Sequence, residues 1–160
     1  MRLEHLFDSD LVYVDRGQWV APYHEGEYMG YVEATGHVAG ARINGQVRCV
    51  NNPHELTTGM NDFYRANYRG VISTEDGATV LWRFGGYNIF DTQAPPTYVG
   101  RAVMASTFAA DDERYRWLNR TFAVIEAFCT GPFDENDPQT ERWQIRAFEC
   151  IHDLRNGAAP

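Results

Sequence analysis

The chain has 160 residues, with 14 basic against 22 acidic side chains for a net charge of −8, 44% hydrophobic and 14% aromatic residues, and three cysteines. That length suits one domain over residues 1–160, burying about 70% of the surface the unfolded chain exposes. The acidic balance, with no basic stripe in the sequence, argues against a nucleic-acid partner, and apolar runs such as residues 122–125, broken by Glu126, fall far short of the ~20 residues that span a bilayer.

The N-terminal residues Met1-Arg2-Leu3-Glu4-His5-Leu6-Phe7 carry charge where a signal peptide needs an unbroken apolar core, so a cytoplasmic protein is expected. Cys49, Cys129 and Cys150 are odd in number and widely spaced, the pattern of reduced, buried thiols. Further along, Arg42-Ile43-Asn44-Gly45-Gln46-Val47 carries an Asn-Gly hairpin signal, although Gly40 and Gly45 equally suit a bend in one continuous strand. Residues 78–84 (ATVLWRF) read as a strand opening after the tight-turn dipeptide Asp76-Gly77, with residues 68–74 as the partner. Residues 101–108 and 119–129 are further strand-length runs, and residues 111–116 between them suggest a short helical turn. Residues 122–128 and 140–154 fit both helical and alternating spacing. Short strands and short turns throughout make the chain all-β, an antiparallel barrel or sandwich; a barrel of about eight strands is either packed solid or holds one small molecule.

Four phrases together resemble the family catalogued as domain of unknown function 3237, small bacterial and fungal proteins. They are Glu4-His5-Leu6-Phe7, Gly40-Ala41-Arg42-Ile43-Asn44-Gly45, Thr74-Glu75-Asp76-Gly77-Ala78 and Arg114-Tyr115-Arg116-Trp117-Leu118-Asn119. The resemblance implies a calycin-like antiparallel β-barrel and tips both ambiguous segments toward strand. It implies little about function, since a fold does not carry a reaction with it. Asn67 stands where many relatives have an acidic residue two positions before the arginine, here Arg69, that precedes the T-x-D-G-A phrase. The stretch 132–140 is longer and more acidic than the usual connection; its run Asp134-Glu135-Asn136-Asp137 reads as a solvated loop, or else a lid over a barrel mouth.

Metal and nucleotide chemistry find no sequence support: the five histidines lack ligand spacing, Phe84-Gly85-Gly86-Tyr87 is no phosphate loop, and Ser73 and Ser106 sit in no nucleophile elbow. No cofactor is expected. What remains is a polar set inside strands. Alternation puts Arg65, Asn67 and Arg69 on one face of their strand and Tyr64 and Tyr68 on the other, while Arg83, Arg101 and Glu126 interrupt apolar runs. Each of these charges either points outward to water or points inward and requires a partner or a ligand. On the inward reading, Tyr68, Arg69, Arg83 and Arg101 would hold a carbonyl or carboxylate oxygen, and Asp62 or Glu126 would exchange protons in a low-dielectric cavity. Asn119 would orient the substrate and Trp82 would line the pocket. The plainer alternatives are that Asp62 caps a turn, Asn119 satisfies backbone groups and the aromatic rings are core.

The sequence therefore points to a cofactor-independent isomerase, cyclase or hydro-lyase acting on a small, partly apolar carbonyl compound. The rival is a non-catalytic carrier or sensor in the same barrel. A homo-oligomer is expected, and a third reading has aromatic strands carrying Tyr64 and Tyr68 pairing between subunits.

Overall fold

A period of two governs most of the chain. Phe7, Ser9, Leu11 and Tyr13 alternate with exposed or half-exposed neighbours, and so do Val47, Cys49 and Asn51, and Trp143, Ile145 and Ala147. Such alternation turns one face of each strand toward a common interior and the other to water. The computed structural model describes residues 1–21, 27–56, 63–91, 99–130 and 137–152. Its strands are β1 (Arg2–Tyr13), β2 (Gln18–Val20), β3 (Glu27–Ala39), β4 (Asn44–Asn51), β5 (His54–Leu56), β6 (Phe63–Thr74), β7 (Thr79–Asp91), β8 (Val99–Ala110), β9 (Phe122–Thr130) and β10 (Arg142–Ile151).

Neighbours pair antiparallel in the order β1-β10-β9-β8-β7-β6-β4-β3, and β3 returns to β1, so eight strands close into a barrel. Closure removes the open edges that would otherwise template aggregation. The β1–β3 seam is close: a Cβ on Gly36 would run into the carbonyl oxygen of Asp10. Short β2 and β5 lie outside the ring, β2 paired with β3 and β5 with β3 and β6.

Both ambiguous segments are strands, β9 and β10. Asp76-Gly77 makes the expected hairpin between β6 and β7, with Gly77 at φ 88°, a conformation that suits glycine. Two expectations shift. The helical turn is a 3-10 segment at Arg116–Arg120 rather than at 111–116. The hairpin signal at 42–47 marks a real β3–β4 hairpin, but its loop is residues 40–43 and Asn44-Gly45 opens β4 just after it.

The interior is a column of rings. Tyr68 stacks on Phe84 at 4.4 Å, Phe84 on Trp82 at 4.2 Å, and the edge of Phe7 meets Trp82 at 5.3 Å. Below them Val47, Ile72, Val80 and Ile125 pack against Leu118 of the 3-10 segment and Ile43, closing one end of the barrel. The family-like phrases meet at this end. Asp76 accepts from the Thr74 hydroxyl at 2.6 Å and the Tyr115 hydroxyl at 3.0 Å, and pairs with Arg114 at 2.9 Å. The Arg42 guanidinium lies 3.3 Å over the Trp117 ring.

Candidate functional site

The opposite end is built differently. The strands are antiparallel, so the C-terminal ends of β1, β4, β7 and β9 and the N-terminal ends of β6, β8 and β10 come to one rim. The inward positions there are Tyr13, Asn51, Tyr64, Tyr68, Asn88, Cys129 and Trp143, all buried. The hydroxyls of Tyr13 and Tyr68 are hydrogen-bonded at 2.9 Å, and the Tyr64 hydroxyl lies 3.4 Å from that of Tyr13. Burial pushes the Tyr13 and Tyr68 phenols well above their ordinary range, so both keep their protons as donors at neutral pH.

Glu141, just before β10, belongs to this cluster. Its Oε1 accepts from the indole N–H of Trp143 at 2.8 Å. Desolvation raises its carboxyl to about 7, with the Trp143 bond acting the other way. Its charge is felt at Tyr13, Tyr68 and Cys129. Two amides complete the set. Asn51 and Asn88 are each 1% exposed, and Asn51 Nδ2 and Asn88 Oδ1 are buried without a partner among the described residues. Asn51 Oδ1 accepts from the Asn67 N–H at 3.0 Å, which leaves its NH2 free to donate inward. Buried orphan donors and acceptors are uncommon, because each costs about 1–3 kcal/mol; a water or a ligand's polar group is their usual complement.

The residues singled out from sequence are dispersed. Tyr68 is in the cluster. Trp82 is inside the barrel but 0% exposed, locked in the ring column with its indole N–H on Ser106 Oγ at 2.7 Å, so it is core rather than pocket wall. Arg69, Arg83, Arg101 and Glu126 point outward, because an unpaired guanidinium or carboxylate in the packed interior would cost more than the fold supplies. Glu126 meets Arg146 at 3.4 Å on the outer wall, and Arg101 and Glu126 line an open groove of about 800 Å³ there with Asp8, Asp10, His37 and Arg146. Water bathes those charges, so the groove lacks the low dielectric expected around a proton-transferring carboxyl. Asn119 lies at the closed end, where its amide donates to and accepts from the backbone of Ala110 at 2.8 and 2.7 Å, a structural clamp. Asp62 and residues 134–136 of the acidic run lie outside the described residues. Tyr64 and Tyr68 are buried within the chain and face the barrel interior.

Glu141, Tyr13, Asn51 and Asn88 are the members the sequence reading missed. Asn51 and Asn88 carried a usable signal: each continues, in phase, an inward series (Val47, Cys49, Asn51; Trp82, Phe84, Gly86, Asn88) with a polar residue. Glu141 precedes its strand but extends the inward series of Trp143, Ile145 and Ala147 by one step, so it too carried an in-phase signal.

No protein-family model and no curated protein matches the chain. Solved structures do resemble it. A β-barrel-like protein from Acinetobacter baumannii AYE superposes with a TM-score of 0.74 at 16% identity, covering 92% of this chain and 94% of that one. A protein of unknown function from Clostridium acetobutylicum ATCC 824 gives 0.72 at 16% identity over 94% and 100%. An enzyme from Penicillium herquei gives 0.58 at 22% identity over 92% and 94%. At these identities the likeness is one of fold, and the fold it identifies is a closed antiparallel β-barrel shared with proteins of unknown function.

Proposed function

We propose that the polar end of the barrel binds a small, partly apolar molecule bearing a carbonyl or enol oxygen and moves a proton on it, as an isomerase, cyclase or hydro-lyase does. The observation that carries this reading is Glu141: a carboxyl raised to about 7 stands near buried phenols at a rim where two amide atoms lack partners among the described residues. Near neutral pH such a group is divided between its two forms, so it both accepts and returns a proton with little driving-force penalty. Tyr13 and Tyr68 would donate to the oxygen on which charge develops, in surroundings dry enough to make those bonds count. Asn51 Nδ2 would donate to a second acceptor and Asn88 Oδ1 would accept from a hydroxyl. Phe84, stacked between Tyr68 and Trp82, holds the Tyr68 ring in place from below. That a similar barrel serves as an enzyme in Penicillium herquei makes the scaffold a workable one for catalysis.

The test starts with native mass spectrometry of gently purified protein, then denaturation and identification of the small molecule released. A carbonyl or enol compound is expected. Glu141→Gln should then keep its binding and lose its turnover by at least about a hundredfold, the scale of general acid–base catalysis. Turnover unchanged in Glu141→Gln overturns the catalytic assignment. Binding without turnover in the unaltered protein would make the barrel a carrier.

A further inference from the structure

The arginines that do not enter the barrel form a group of their own. Outward side chains on β3, β4, β6 and β7 fall in two rows across the wall. One row runs Glu33, Val50, Arg69, Arg83, and the next, two residues along each strand, runs Thr35, Arg48, Val71, Leu81. Arg69 therefore stands directly opposite Arg83, and Arg48 is the diagonal neighbour of Arg69. Like charges directly opposed across antiparallel strands destabilise a sheet.

The chain had acids enough to avoid this, with 22 against 14 basic residues. Yet among the described residues none of Arg48, Arg69 and Arg83 has an ion pair or hydrogen bond. Some arginines elsewhere on the surface are paired, Arg114 with Asp76 and Asp112, Arg146 with Glu126 and Arg2 with Glu4, and others such as Arg65 and Arg101 have no ion pair among the described residues; what sets this wall apart is the direct opposition of Arg69 and Arg83 with Arg48 on their diagonal. Among the described residues the carboxylate lining this wall is Glu33, which accepts from the Tyr31 hydroxyl at 3.1 Å, stands diagonal to Arg48 without forming an ion pair, and is separated from Arg69 by Val50. The three guanidiniums border a groove of about 460 Å³ whose apolar part is Val50, Val71 and Leu81. That volume suits a small molecule.

The geometry points to a second binding site on this wall, for a small organic oxyanion of at least two negative charges, a phosphate monoester or a dicarboxylate, whose short apolar part lies on Val71 and Leu81. Guanidinium forks match both headgroups and bind them through paired N–H donors, and a bound dianion turns the Arg69–Arg83 repulsion into a shared attraction. The site rests on the outer wall alone and stands or falls independently of the reading given to the barrel's polar end.

Inorganic phosphate and succinate are the probes, titrated into the full chain by calorimetry and by thermal melting, against sodium chloride at matched ionic strength. Each probe that fits is expected to raise the melting temperature beyond the chloride control. The stronger of the two tells a phosphate site from a dicarboxylate site. Arg69→Gln and Arg83→Gln should weaken binding by about tenfold or more each, the cost of one charge-assisted contact, and should melt no lower than the unaltered chain in chloride because the like-charge pair is relieved. Arg69→Lys should fall between, keeping the charge and losing the fork. Arg101→Gln, on β8, should bind within about twofold of the unaltered chain, since it leaves this groove intact. A rise no larger than that in chloride with both probes overturns the proposal, as does a rise undiminished in both Gln variants.

Discussion

The two ends of the barrel use their polar residues in opposite ways. At the closed end Asp76, Thr74, Tyr115, Arg114 and Asn119 are tied to one another or to the backbone, around a plug of Leu118 and Ile43. At the other end two amide atoms lack partners among the described residues, three phenols share bonds, and a half-buried carboxyl is raised by desolvation. One end satisfies its polar groups among the described residues, and the other leaves two buried amide atoms without a partner among them. The phrases through which the sequence resembles a family sit mostly at the closed end, so what makes the chain recognisable is its architecture.

That contrast can be tested, beginning with the largest effect. Trp82→Ala removes the ring that joins the two halves of the column and should cost about 3–5 kcal/mol in equilibrium denaturation. Next, the two ends should respond to pH with opposite sign. Asp112, lowered to about 2 by the Arg114 hydrogen bond, and Asp76, lowered chiefly by the Thr74 hydroxyl, support the closed end above the usual carboxylate range. Their contribution is lost as pH falls from about 4 through about 2, and Asp112→Asn should flatten that loss. Glu141 does the reverse. The folded chain holds its proton to about 7 and the unfolded chain releases it near 4.5, so stability falls as pH rises between those values, and Glu141→Gln should abolish this slope in pH-resolved melting. A smaller effect is expected from Asn88→Leu, which removes an orphan from the polar end. It should raise stability by about 1 kcal/mol while weakening ligand retention, the mark of a group kept for binding. Glu126→Gln should change stability by less than about 0.5 kcal/mol, because its partner Arg146 is as exposed as itself.

Much of the fold could be read from the chain because alternation and turn chemistry are local. Asp76-Gly77 marks its hairpin, and Trp143, Ile145 and Ala147 mark β10. Alternation yields two faces and is silent about which one is inside. On β6 the Ala66 between Tyr64 and Tyr68, set against Arg65, Asn67 and Arg69, resolves it in hindsight, since arginines cannot be buried unpaired. On β9 hydrophobicity misleads: the inward residues are Ala123, Ile125, Ala127 and Cys129, while the larger Phe122 and Phe128 lie on the outer face with Glu126. The site was less legible than the fold because its members come from β1, β4, β6, β7 and the approach to β10. Only closure of the sheet brings Tyr13 to Tyr68, or Glu141 near either.

The seam has a bearing on how the chain is made. β1 is held by β3 on one side and by β10 on the other. On the ribosome the first strand emerges long before its second partner, so for most of translation it presents a bare edge rich in Leu and Phe to whatever is nearby. Ring closure is then the late, long-range step in which β1 is most exposed to mispairing, and slow folding limited by that closure is the expected consequence.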